Sequence, residues 1–419
     1  MIYLIHQVNL LRVALACGML ILSAWTGGAT AETLSTATFV PARAMPLPGY
    51  RSQELEANSG LPLTRVTAPG LLGEGLVCQQ AYCTHRYSSA QAWNADQTLL
   101  LIANGCNGLC FLNGRTFEPL FRRERPDECE WHPRNPDVMI CVTVRRISLW
   151  TPRTNADEVV FVADGYYGLQ FGPSKGNPSW DGNRVALRAT TKDGASVAFA
   201  YDLLNRQKYP DIPLAQLPGR GGSCEISPLG IYVLCTRWLS GTAQAYVFKI
   251  DGTLVQSWTE HHRPGHGDMT VDSDGSEVYV GISKSNPDAY HVIKRRLSDG
   301  LVTSLAPYGE AEHASLRAIG RPGWVFLSYA GDPTEIAQRS RVAPFAREVI
   351  ALRIDGSGEF RRVAHTRNVP HDYWSETHAS PSPDGSQVIW SSNWGQPGGP
   401  VFDFVSRLDW PDAPDTPSR

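Results

Sequence analysis

Ser382-Pro383-Asp384-Gly385-Ser386-Gln387-Val388-Ile389-Trp390 is the stretch that decides the fold of this chain. An Asp-Gly pair suits a tight hairpin turn, because glycine takes a positive φ without steric cost. The apolar run behind it suits a strand buried on both faces. The unit recurs upstream: Val271-Asp272-Ser273-Asp274-Gly275 leads into Val278–Ile282, and Trp93-Asn94-Ala95-Asp96 into Leu99–Ile102. Degraded copies start near Trp131, Gln170, Cys224 and His313. Counting entrances near Gln91, Trp131, Gln170, Cys224, His266, His313 and His378 gives seven units. The shorter spacings are roughly 40 residues, the size of one four-stranded blade. The chain is therefore read as all-β, a seven-bladed β-propeller; a two-sheet sandwich leaves seven copies of one hairpin unexplained. The sixth unit carries an insertion, Asp332 to Arg347. Closure of the ring falls to Thr36–Val40 or to Leu63–Thr67.

Residues 1–31 read as a signal peptide. Arg12 ends a short polar start, Val13 to Trp25 is apolar, and Ala29-Thr30-Ala31 is a small-residue cleavage site. The apolar run is shorter than the roughly 20 residues needed to span a bilayer. Leu15-Ala16-Cys17 resembles a lipoprotein box, but the apolar run continues past Cys17. An N-terminal extension over 32–60, a propeller over 61–410 and a tail over 411–419 follow. The expected product is secreted or periplasmic and does not span the membrane after processing.

Cysteine usage agrees. Beyond Cys17 the chain holds Cys78, Cys83, Cys106, Cys110, Cys129, Cys141, Cys224 and Cys235, an even set that an oxidising compartment would pair. They fall as four near neighbours. Cys129 to Cys141 and Cys224 to Cys235 each flank a Pro-containing turn, within reach of a cross-strand bridge. A zinc reading of Cys106 and Cys110 lacks a second cysteine pair of matching spacing. The net charge of −3 argues against a nucleic-acid partner, which needs a basic stripe. With 38 Gly and 30 Pro and no long amphipathic helical pattern, the composition is that of a turn-rich β protein.

In a propeller the first strand of each blade lines the channel, so residues at equivalent entrances converge. The last three entrances read Gly265-His266-Gly267-Asp268, Glu310-Ala311-Glu312-His313, and His371-Asp372-Tyr373-Trp374-Ser375-Glu376-Thr377-His378. Each brings a histidine with carboxylates beside it, the donor types of a divalent metal site or a general base. Cys83-Thr84-His85-Arg86-Tyr87 precedes the first unit, placing His85 and Arg86 within reach of the same face. Arg86, Arg145, Arg146 and Arg317 are candidate carboxylate forks, against the commoner fate of a surface salt bridge. His261 and His262 read as solvated loop residues. Tyr166, Tyr167, Trp238, Tyr373 and Trp374 are candidates for stacking on sugars, although Trp and Tyr also fill cores. No nucleophile elbow, phosphate loop, zincin helix or dinucleotide fingerprint stands in a supporting context.

Leu63-Thr64-Arg65-Val66-Thr67-Ala68-Pro69, His85-Arg86, Asp96-Gln97-Thr98-Leu99-Leu100 and Thr377-His378-Ala379-Ser380-Pro381-Ser382-Pro383-Asp384-Gly385 resemble segments of oligogalacturonate lyases. The likeness is shared with the broader TolB-like propellers. It implies a seven-bladed enzyme that uses a divalent metal, commonly manganese, to cleave acidic oligosaccharides by β-elimination. His378 matches the second histidine of the family's Q-x-x-H-x-H motif, with Tyr373 and Glu376 at the positions of its glutamine and first histidine. His313 corresponds to the metal histidine of the preceding blade. The resemblance thus implies metal ligands His313, Glu376 and His378. It makes His266 the base with Asp268 as its helper, and Arg86 or Arg317 the holder of a second carboxylate; His85 by its position, and Tyr373 and Trp374 by their rings, complete the expected substrate contacts. The competing reading is a non-catalytic TolB-like propeller that binds a protein or glycan.

Overall fold

The repeated turns form as the residues require. In Ser382–Gly385 the glycine sits at φ +73° and its N–H donates to the Ser382 carbonyl at 2.9 Å. Asp384 Oδ1 accepts from Ser386 N at 2.9 Å and Ser382 Oγ at 2.7 Å, fixing the returning strand. Asp272–Gly275 repeats the device, with Gly275 at φ +82°. In the first unit Gln97 takes the left-handed place at φ +59° that glycine holds elsewhere. The third unit carries an intact copy, Ser179-Trp180-Asp181-Gly182, with Gly182 at φ +80°. That turn lies well beyond Gln170, where the sequence reading began this unit.

The computed structural model describes residues 32–70, 78–125, 128–171, 176–261, 266–307, 311–331 and 343–411. The signal-like segment 1–31, the tail beyond 411 and most of the sixth-unit insertion lie outside these. The strands described fall in seven sheets that follow the chain, a seven-bladed β-propeller. Their inner strands are Glu128–Trp131, Tyr166–Gln170, Cys224–Ile226, Asp268–Val271, Ala311–Ser315 and Ser380–Pro381 in blades two to seven. In blade one a single bridge, Trp93 to Leu100, stands for the inner strand. The second strands Glu277–Ile282, Trp324–Tyr329 and Gln387–Ser392 are buried at every position, as their apolar runs anticipate.

The ring closes through the N-terminal part of the chain. Pro62–Arg65 pairs antiparallel with Val401–Arg407, in the register Leu63 with Ser406 and Arg65 with Phe404. Gln53–Leu55 adds a fifth strand outside it. Thr36–Val40 is not the closing strand, a correction to one of the two expectations. Those residues stay partly or fully exposed, whereas Leu61 and Leu63 are buried against Phe326, Trp390 and Phe404. Glu32–Thr33 instead extends the outer edge of blade six along Glu359 and Phe360. The extension is therefore partly woven into the sheets.

Four disulfides join Cys78 to Cys83, Cys106 to Cys110, Cys129 to Cys141 and Cys224 to Cys235. The last two pairs lie directly opposite on adjacent strands, with Cα atoms 4.1 Å apart. Four such bonds fit a non-cytoplasmic, oxidising compartment. No helix of the described residues is long and apolar enough to cross a membrane. Leu63→Ala should destabilise the ring by about 2–5 kcal/mol, the range for a buried leucine truncation. An unchanged urea midpoint would mean that this strand does not close the ring.

Candidate functional site

Antiparallel strands reverse direction at every turn. The connections into the inner strands and the turns between second and third strands therefore share one face of the ring. His266, His313, Glu376 and His378 gather on that face. The His313 ring is fully buried and stacks on His266, with centroids 4.5 Å apart and planes 13° from parallel. The His378 ring lies 4.3 Å from it, tilted by 55°. Glu376 Oε2 accepts from His313 Nε2 at 2.9 Å. One ligand atom each from His313, Glu376 and His378 lies within 4.8 Å of the others, a grouping able to hold a metal ion.

Local backbone features set these side chains. Asp372 caps a short 3-10 turn over Tyr373–Ser375, accepting from Ser375 N at 2.9 Å while Ser375 Oγ accepts from Asp372 N. This turn aims the Tyr373 carbonyl at His378 Nε2, 3.0 Å away. A carbonyl can only accept, so Nε2 carries the proton and Nδ1 keeps the lone pair. Nδ1 is buried with no hydrogen-bond partner among the described residues. Burial, with help from His85 and His266, lowers the His378 pKa to about 3, which keeps the ring neutral. His266 stands at φ +74°, a left-handed conformation that costs a non-glycine residue energy and concentrates at functional sites. Its Nδ1 donates to the Glu312 carbonyl, and its own carbonyl accepts from Ala314 N at 2.7 Å. In its neutral form that ring carries its lone pair on Nε2.

Two neighbours went unassigned in the sequence reading. Tyr87 packs against His378 at 4.8 Å and edge-on to His313 at 5.3 Å, and its hydroxyl lies 2.6 Å from that of Tyr373. The signal was present, since Tyr87 directly follows His85-Arg86. Glu312 precedes His313. Burial, then repulsion from Glu376, raises its pKa to about 8, against the pull of Lys284.

Four of the expected site residues have other partners. Asp268 does not assist His266: its carboxylate accepts from Met269 N, Leu316 N and both Nε and Nη2 of Arg317, all at 2.5–2.8 Å. Arg317 is consumed by the same buried pair, just past the end of the inner strand of blade six. Arg86 bonds the Cys129 carbonyl and the buried Glu130 carboxylate, tying blade one to blade two. His85 is 1% exposed. Its Nδ1 donates to Asp403 at 3.0 Å and its Nε2 to the His378 carbonyl at 2.5 Å. Both partners are acceptors only, so the ring is an imidazolium. It is a buried strut beneath His378. Tyr373 borders the cluster, and Trp374 stands edge-on to it, 47% exposed.

Burial opposes charge on His85, but attraction to and hydrogen bonding with Asp403 outweigh it, and the pKa rises. A raised histidine stabilises fully below its unfolded pKa of about 6.5 and loses that contribution as pH climbs through the folded value. Asp403→Asn should therefore cost about 3–5 kcal/mol near pH 6, the range for breaking a buried pair. The gap from wild type in urea unfolding should narrow as pH rises; a pH-independent gap would deny the imidazolium.

The class of molecule is thus set: a disulfide-bonded seven-bladed propeller with two histidines and one carboxylate grouped on one face. No protein-family model and no curated protein sequence matches this chain. Among solved structures it resembles an oligogalacturonate lyase from Vibrio parahaemolyticus, with TM-score 0.56 and 10% identity over 85% of this chain and 96% of that one. It also resembles an oligogalacturonate lyase in complex with manganese, with TM-score 0.55 and 14% identity over 91% and 98%. At these identities the likeness establishes the fold.

Proposed function

We propose that this protein is an exported, metal-dependent lyase that cleaves a uronate-containing saccharide by β-elimination. The observation that carries the reading is the three-donor group of His313, Glu376 and His378 with the His266 ring stacked beside it. The donor set fits a divalent transition metal such as manganese: neutral imidazole nitrogen plus one carboxylate, with a buried lone pair on His378 Nδ1 awaiting a partner. A bound ion would supply Lewis-acid polarisation of the substrate carboxylate, acidifying the adjacent C–H.

His266 Nε2 takes that proton, and the positive charge it gains is shared through Nδ1–H with the Glu312 carbonyl. The electron pair left on carbon forms the double bond, the glycosidic C–O bond breaks, and the departing oxygen is protonated from solvent. Stacking on His313 holds the base in one plane. A non-catalytic binding propeller is the second reading, favoured by the internal pairing of Asp268, Arg86 and Arg317.

Metal analysis and product absorbance separate the two. Wild type should hold one divalent ion per chain, and His378→Ala should weaken it by more than about tenfold, since even loss of a supporting residue costs that much. His266→Ala should keep the ion and lose about 100-fold or more of the unsaturated-product signal on uronate oligomers. A metal-free wild type that yields no product would leave the binding propeller.

A further inference from the structure

Strand alternation also sorts the exposed aromatics. Among the described residues four Trp, Tyr or Phe side chains are exposed: Tyr167, Trp238, Tyr290 and Trp374. Tyr167 and Trp374 lie at the entrances of blades three and seven. Trp238 is the last residue but one of the second strand of blade four, at its turn into the third, and Tyr290 lies in the corresponding turn of blade five. All four are thus on the histidine face. The exposed apolar side chains in the turns of the opposite face, Leu204, Leu229, Ile231 and Leu301, are aliphatic.

Basic groups accompany these rings. The backbone of exposed Arg220 pairs with that of Trp238, N–H to carbonyl at 2.8 Å in both directions. Exposed Arg145 reaches the Tyr166 carbonyl, beside Tyr167, at 3.3 Å. Lys284 Nζ lies 5.4 Å from the Tyr290 centroid. Several carboxylates of this face are held locally, Asp193 by Thr191, Asp288 by His291 and Asp372 by Tyr82 and Ser375. Asp164 is exposed near Tyr167, which makes the Trp238 and Tyr290 positions the stronger ones. Aromatic faces stack on the apolar C–H faces of sugar rings, and flanking cations suit carboxylates. Single-stranded nucleic acid also stacks on aromatics but calls for a basic groove, which a net charge of −3 does not favour.

We propose that this rim is a binding platform for an extended polyuronate chain, leading it over blades three to five toward the histidine cluster. The choice of sugar rests on the lyase reading; the contact itself needs no turnover. The test is gel retardation of the disulfide-bonded protein, with chelator present to stop turnover, in gels containing polygalacturonate, neutral galactan or single-stranded DNA. Polygalacturonate should retard wild type. Trp238→Ala and Tyr290→Ala should each weaken retardation about fivefold or more, taking the lower bound for a nucleic-acid base stacked on an aromatic ring as the guide, while Leu229→Ala on the opposite face leaves it unchanged. Equal retardation of Trp238→Ala and wild type overturns the platform, as does equal or stronger retardation by galactan or DNA. Retardation sensitive to Trp238 in a protein that never forms product upholds the platform and rejects the lyase. Product formed from short oligomers, with rim variants that bind and turn over like wild type, does the reverse.

Discussion

The pairing of Pro62–Arg65 with Val401–Arg407 is the constraint on which the histidine face depends. It does more than seal the ring. Just past the closing strand, Val66 N donates to the Asp403 carbonyl at 2.8 Å, and Asp403 N donates to Thr67 Oγ1 at 2.7 Å. Asp403 is thereby fixed at full burial, where Ser391 Oγ and His85 meet its carboxylate. His85 passes the constraint to the His378 carbonyl. A chain of single contacts thus runs from ring closure to one donor of the candidate metal group.

This explains a buried charge that is costly by itself. Removing an ion from water costs several kcal/mol, about as much as a good partner returns. The His85–Asp403 pair therefore specifies geometry more than it adds stability. An apolar residue at position 85 could fill the space, but it could not donate to the His378 carbonyl. The Tyr373 carbonyl holds the same imidazole through Nε2. Backbone and ring of His378 are fixed from two directions, by groups that come from opposite ends of the chain.

Much of the fold was legible because its rules are local. Asp-Gly turns and doubly buried strands announce themselves within ten residues or so, and near-neighbour cysteines needed no long-range information. The Ser179–Gly182 turn was legible too, since it shares its Ser-x-Asp-Gly form with Ser382–Gly385. It follows the inner strand Tyr166–Gln170, where the sequence reading places the start of the unit. The partners of charged side chains were not legible. Asp268 and Arg317 stand far apart in sequence, and only the stagger of two neighbouring inner strands makes them a fork. Arg86 is decided likewise by Glu130 on the next blade. A histidine at a blade entrance can join the cluster, as His313 does, or lie beneath it, as His85 does. Sequence spacing does not distinguish the two.

Tyr373 bears on how many ligands the group offers. A glutamine there would present a side-chain oxygen. The Tyr373 hydroxyl instead meets that of Tyr87, and its ring walls the cluster at 6.2 Å from both His266 and His313. What the residue gives the site is its backbone carbonyl, which fixes the His378 tautomer. The protein donors are then three, two imidazoles and a carboxylate, and a metal of higher coordination number would keep positions open for substrate oxygens. Glu376 adds negative charge to the group, which would favour a hard divalent ion and would weaken that ion's pull on the carboxylate of the proposed substrate. With Arg86 and Arg317 committed to internal pairs, the proposed recognition of uronate carboxylates falls to the basic groups at the rim of the face.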